Sequence, residues 1–267
     1  MTCPGASGRT PHLAAISREA YVYLGAGAAV LLQMAHPGVG RGVARHSTTL
    51  ARPFDRLRTT MTYVYVVTLG TDAEREAVAR MIDRVHAPVR GPGYSAFDPG
   101  LQLWVAATLY RGALDLRCAF EGGPGPAHAD ALHREAALYG TTLQVRPEMW
   151  PADRAAFEAY WARTLAAAEV LPEVRDYAQR LLSGRDVPWP ARLAMPLQRL
   201  ATAALLPASL REAYGLPWSE RDARRWARFL RIAPRVYRWI PAPLRHLPAR
   251  LVLADMRRRR ARGRRVI

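Results

Sequence analysis

The chain contains no lysine: all 39 of its basic residues are arginine. A P-loop, whose lysine reaches the nucleotide phosphates, is therefore excluded, and no glycine-rich phosphate loop follows a strand signal. Cysteine is almost as scarce. Cys3 and Cys118 are the only two, and neither belongs to a CxxC pair or a Cys/His cluster. That removes a disulfide scaffold and structural zinc, and it suits a reducing compartment. Serine chemistry lacks its frame too: there is no Gly-x-Ser-x-Gly elbow, and the serines stand in cap or loop contexts. Two Glu-x-x-His motifs, which a di-iron helical bundle needs, are also missing.

Strand signals are sparse. Val64–Leu69 is a short β-like run inside a longer helical pattern, and no Asn-Gly hairpin dipeptide occurs. The most apolar run, Ala20–Ala35, contains Gln33, Gly25 and Gly27 and falls short of the roughly 20 residues of a membrane span. It reads as a buried core helix. Met1–Pro11 has no charged segment followed by an apolar core, so it is not read as a secretory signal, and the expected location is cytoplasmic.

What remains is a chain of 267 residues, 50% hydrophobic and 23% charged, with plentiful helix signals. The spacing predicts one long helix over His12–Ala35, stopped by His36-Pro37-Gly38, with Gly25 and Gly27 allowing close approach of a backbone or a flat ligand. Phe54–Leu69 is helical. Thr71-Asp72-Ala73-Glu74 has the form of a capping box opening a helix over Asp72–Val89, which Pro88 would kink beside His86. Asp98-Pro99 caps a helix over Leu101–Phe120. Further helices are expected over His128–Tyr139, from Asp153 to Val170, from Pro172 to Leu182, over Trp189–Leu205 and Ala208–Tyr214, over Glu220–Ile232 behind Ser219, and from Pro241 to Arg262. The expectation is one all-α domain over residues 1–267 with a tail at 1–12 and a basic tail at 257–267.

The net charge of +17 is local. From Arg221 onward there are 16 arginines against Asp222 and Asp255, so this stretch carries +14 and the first 220 residues only +3. A run such as Arg257–Arg265 binds polyanions without reading sequence, which argues against sequence-specific nucleic-acid recognition. With the apolar side of the preceding helix (Trp239, Leu244, Leu247, Leu251) it suits peripheral contact with an anionic membrane. The plainer reading is a core-packed helix with a solvated basic end.

Histidine and arginine cluster in the first third of the chain. His86 and Arg90 are four apart and would share a helical face, with the imidazole able to bind a metal and the guanidinium an anionic group of the same ligand. A half-buried histidine beside an arginine at a helix C-terminus gives the same pattern. His36 is a weaker pocket candidate that also suits a helix C-terminus, and His46 reads as a turn residue. Arg56 and Thr60 lie one turn apart, which is also how a polar helix stripe looks. His12, His128 and His246 have polar or terminal settings, and His133, beside Arg134 and Glu135, reads as surface.

Leu32-Gln33-Met34-Ala35-His36-Pro37-Gly38-Val39 followed by Val43-Ala44-Arg45-His46-Ser47 resembles the opening of the MpaB-like and rubber-oxygenase (latex-clearing protein) catalytic domain family. Arg56–Tyr63, Arg84–Gly91, Asp98–Val105, Pro207–Glu212 and Tyr214–Trp218 follow in that family's order, so the resemblance runs from about Ser17 to Trp239. It implies a globin-like all-α core holding haem b, with His86 as the axial iron ligand and Arg90 beside it, and with Arg56 and Thr60 on the distal side. It implies a haem-dependent oxygenase taking O2 and an apolar small molecule. The family's polyisoprene cleavage does not carry over, since fold and cofactor do not fix a substrate. Asp83 stands where rubber oxygenases have arginine, Thr59 where they have a distal lysine, and Ala106 where many relatives have histidine. Set against the oxygenase reading is a non-enzymatic helical protein that binds a lipid-like ligand or a partner.

Overall fold

The computed structural model describes residues 10–46, 53–185 and 187–266; residues 1–9 of the predicted tail, with Cys3, and Ser47 lie outside these, while Pro11 and His12 of that tail already belong to a helix. The described residues form an all-α fold whose helices are shorter and more numerous than the spacing predicts. First come α1 (Pro11–Ser17), a 3-10 turn pair (Ala20–Gly25), α2 (Ala26–Met34), α3 (Pro37–His46), α4 (Pro53–Leu69) and α5 (Asp72–His86). A small hairpin, β1 (Arg90–Gly91) and β2 (Tyr94–Ser95), leads into the long α6 (Pro99–Glu121). Then follow α7 (Pro126–Ala136), α8 (Leu138–Thr141), α9 (Arg154–Ala166), α10 (Pro172–Ser183), α11 (Trp189–Arg192) and α12 (Met195–Leu205). The chain closes with α13 (Ala208–Ala213), α14 (Glu220–Tyr237), α15 (Ala242–Arg245) and α16 (Leu247–Ala261).

The local start signals work as read. Thr71 and Glu74 close the capping box of α5, with bonds of 3.2 and 2.9 Å. Asp98 accepts from the Gly100 and Leu101 amides at the head of α6. Helix α6 is central because its apolar residues face α2 on one side and an aromatic cluster on the other. Trp104 is 1% exposed, donates Nε1–H to the Leu32 carbonyl at 3.0 Å, and meets the Trp161 ring at 5.0 Å. His133, expected on the surface, is buried among Tyr110, Trp150 and Phe157, with its Nε2 at 2.8 Å from the Pro151 carbonyl. Among those aromatics an imidazole packs as a flat ring.

The predicted helix over His12–Ala35 is interrupted after α1 by a tertiary contact, and it runs as a 3-10 segment before α2. Glu19 is extended (φ −73°, ψ 134°), and its buried carboxylate accepts from Tyr237 and His246 at 2.8 Å each, with Arg245 at 3.4 Å. Holding a buried carboxylate among such donors outweighs the one or two helical hydrogen bonds lost. Val64–Leu69 is helical within α4, and all of it but Leu69 is buried. Among the described residues no single helix is long and apolar enough to cross a membrane.

Gly27 is where α2 and α12 come closest: a Cβ there would collide with Thr202 Oγ1. Gly27→Ala should therefore destabilise the fold by about 1–3 kcal/mol, the usual range for overpacking. Adding Thr202→Ala should recover most of that loss. Urea denaturation of the two single variants and the double variant checks it, and strictly additive losses would mean the two sites do not touch.

Candidate active site

Helix α5 ends at His86: Ala87 is still helical (φ −51°, ψ −42°), but Pro88 has no amide hydrogen with which to continue the helical bonding. The chain then turns into the hairpin, whose Pro92-Gly93 corner has Gly93 at φ +78°, as a type II turn requires. Arg90 is therefore on strand β1, exposed, and not on a helical face with His86. The expected His86–Arg90 pair does not form. The hairpin instead closes one side of a cavity of about 950 Å³, near the upper end of the roughly 300–1,000 Å³ typical of ligand sites.

Its inner wall is apolar: Val43 from α3, Val85 from α5, Leu101 and Val105 from α6, and Leu143. His86 lines the same wall. The His86 Nδ1 is buried and has no hydrogen-bond partner. Burial holds the imidazole pKa below its ordinary value, and the Arg56 charge pushes it further down while Asp83 opposes. His86 is thus a neutral ring with an unsatisfied nitrogen beside a large cavity. Tyr63 also lines it and donates to the Tyr139 carbonyl at 2.6 Å; His46, at the end of α3, bonds Tyr94 Oη at 3.1 Å.

Arg56 and Thr60 sit one turn apart on α4, and both line a second, smaller cavity of about 340 Å³. Its other walls are mostly apolar and come from α2, α6 and the α10–α12 region. Arg56, Gln33 and Tyr139 line both cavities, so they form the partition between them. Arg56 is exposed, yet protein lies close enough around its guanidinium to lower its pKa by desolvation, with Tyr177 opposing. Among the described residues Arg56 makes no hydrogen bond or ion pair. Gln33 is fixed by donation from Nε2 to Thr108 Oγ1 at 3.0 Å.

Three expectations fare differently. His36 lines neither large cavity: its Nδ1 accepts from the Gly38 amide at 3.2 Å, which makes it a cap for the α2–α3 corner. Asp83 accepts from Gln144 Nε2 at 2.9 Å, and Gln144 in turn is bonded to Gln102, a lining residue. The aspartate therefore ties α5 to α6 behind His86. The C-terminal run keeps most of its arginines exposed, as the plainer reading expects, but its end is docked: Val266 is fully buried, and Arg260, Gly263, Arg264 and Arg265 line the larger cavity. The sequence reading missed Gln33, Tyr63 and Tyr94, for which one chain alone carries no signal.

Among the described residues no three His, Cys, Asp or Glu side chains are grouped to hold a metal ion. One imidazole is the donor set here. It suits a metal that brings its other ligands with it, as iron does in haem.

Residues 14–239 match the family described as the ER-bound oxygenase mpaB/B′/rubber oxygenase catalytic domain, and the chain belongs to that family. It is 39% identical over 248 residues to two proteins called uncharacterized, from Mycobacterium bovis and Mycobacterium tuberculosis. The match covers 89% of this chain and 97% of each of them. No solved structure matches the chain.

The electrostatics give a direct check. Arg56→Gln should raise the His86 pKa, followed by proton NMR of the imidazole; an unchanged titration would place the Arg56 charge elsewhere. In the wild-type protein the unfolded chain takes up a proton at His86 near pH 6.5 while the folded state resists until lower pH. This contribution to stability is present above about pH 6.5 and lost as the pH falls through the folded value.

Proposed function

We propose that this member of the mpaB/rubber oxygenase family is a haem-b-dependent oxygenase acting on an apolar small molecule. The observation that carries the reading is the His86 imidazole: neutral, unpartnered at Nδ1, and set in the wall of a large, mainly apolar cavity. His86 would hold the iron. Haem bound there would supply the oxygen chemistry that no side chain of this chain can provide.

The chain's own residues have narrower tasks. Burial keeps the proton off His86, so a lone pair is available to a metal at neutral pH. Arg56 and Gln33, in the partition, place one cation and one amide between the two cavities. They would orient polar oxygen species or a developing negative charge, and Thr60 would add a hydroxyl from the same helix face. The smaller cavity excludes water with side chains such as Val30, Leu57, Val64 and Ala113, and an apolar substrate would gain by entering it. Arg90 and His36 have no part in this arrangement.

A visible absorption spectrum of the full chain, with and without added hemin, tests the reading. A Soret band should appear in the wild-type protein and shift or weaken in His86→Ala, and added imidazole should restore it in part. Far-UV circular dichroism checks that the variant is folded. No Soret band in folded wild-type protein after hemin addition would sink the proposal and leave a helical protein whose cavities take a lipid-like ligand.

Peripheral membrane contact is a second, separate proposal. Trp239 is 79% exposed, Leu244 59% and Leu251 56%, on a C-terminal stretch that is rich in arginine. Sedimentation with anionic vesicles should carry the protein down at low salt and release it at high salt, and Trp239→Ser should weaken the association. Equal recovery with neutral vesicles at every salt concentration would refute the arginine contribution.

A further inference from the structure

The family match ends at residue 239, yet the wall of the larger cavity does not. Arg260, in the last turn of α16, and Gly263, Arg264 and Arg265, in the segment that follows it, line that wall. We propose that this segment is part of the ligand site, and that Arg260 and Arg264 bind the carboxylate end of an otherwise apolar ligand held in the cavity. The inference rests on the cavity being a ligand site, not on the ligand being haem.

Docking of the segment is specific. Val266 is buried and its carbonyl accepts from Arg58 Nη1 at 2.8 Å. Arg257 is bound to Glu74 through bonds of 2.7 and 3.3 Å, and Arg259 to Asp255 at 2.7 Å. Leu253 and Met256 are buried where α16 packs on α4. The arginine run is thereby sorted into two sets. Arg257 and Arg259 already have carboxylates: Arg257 fastens α16 to α5 through Glu74, and Arg259 pairs within α16. Arg260 and Arg264 point charge at the cavity, and neither side chain has a hydrogen bond or ion pair among the described residues.

The lining explains the ligand class. Five arginines, Arg56, Arg84, Arg260, Arg264 and Arg265, line the cavity, and no aspartate or glutamate does. Much of the remaining lining is aliphatic, including Val43, Val85, Leu101, Val105 and Leu143. Cationic side chains such as Arg260 and Arg264 on a space with apolar walls favour an anion, and a guanidinium pairs with carboxylate through two parallel bonds. A molecule with an apolar body and a carboxylate tip satisfies both kinds of lining. Haem propionates and a long-chain fatty acid share that chemistry.

The test uses the full chain, an Arg260→Gln/Arg264→Gln double variant, and Arg258→Gln as control, since Arg258 is exposed and lines no cavity described above. Four probes are titrated: hemin, hemin dimethyl ester, palmitate and methyl palmitate, followed by absorbance or calorimetry. At least one acid should bind the wild-type chain about tenfold or more tightly than its ester, the effect of one or two charge-assisted bonds. The double variant should lose that preference while binding the ester as before, and the control should keep it. Loss confined to hemin identifies the propionates; loss confined to palmitate identifies a fatty acid and stands even if no Soret band forms. The proposal is overturned if the double variant keeps the wild-type acid-over-ester preference, or if the wild-type chain shows none.

Discussion

Among the described residues neither the buried His86 Nδ1 nor the Arg56 guanidinium has a hydrogen-bond partner, and both residues line the same cavity. Leaving a buried polar atom such as His86 Nδ1 unsatisfied costs about 1–3 kcal/mol. The surrounding fold has to be stable enough to hold them there, and its plan follows from that. Helix α4 carries Arg56, Thr60 and Tyr63 on the faces that meet the cavities, while its run of buried residues from Met61 to Thr68 anchors it in the core. Helix α5 presents His86 at its last turn and is braced from behind through the Asp83–Gln144–Gln102 chain of hydrogen bonds.

The mutual effect of the two groups is also chemical. The imidazole is kept uncharged by burial and by the nearby cation, while a guanidinium remains cationic in any protein setting. Water in such a cavity would satisfy both in part and weaken both. The aliphatic lining of the two cavities limits that, which is why the same walls that suit an apolar molecule also sharpen the electrostatics.

The concentration of charge at the C-terminus has a structural resolution. A stretch with +14 would be expected to stay in water, and on exposure alone most of it does. Polar groups from other parts of the chain hold the rest. Glu19 gathers Arg245 and His246, Glu74 takes Arg257, and Arg58, flanked by Asp55 and Asp255, holds the last described carbonyl through Nη1. With those contacts the arginine-rich end forms part of the wall of the larger cavity.

Much was legible because it depends on neighbours in sequence. Capping at Thr71, Asp98, Asp153 and Ser219, the helical character of Phe54–Leu69, the all-α class and the family follow from short-range pattern and from motif order. His86, Arg56 and Thr60 were legible as candidates for the same reason. Tertiary structure alone decided which of them share a space. Pro88 and the hairpin send Arg90 outward, the Gly38 amide claims His36, and Glu19 breaks a helix that periodicity would have continued. Burial of His133 and docking of Val266 depend on residues far away along the chain, whose approach no local spacing encodes. Local hydrogen bonding and side-chain spacing fix an element; the desolvation and pairing of a polar group depend on what the whole fold brings against it.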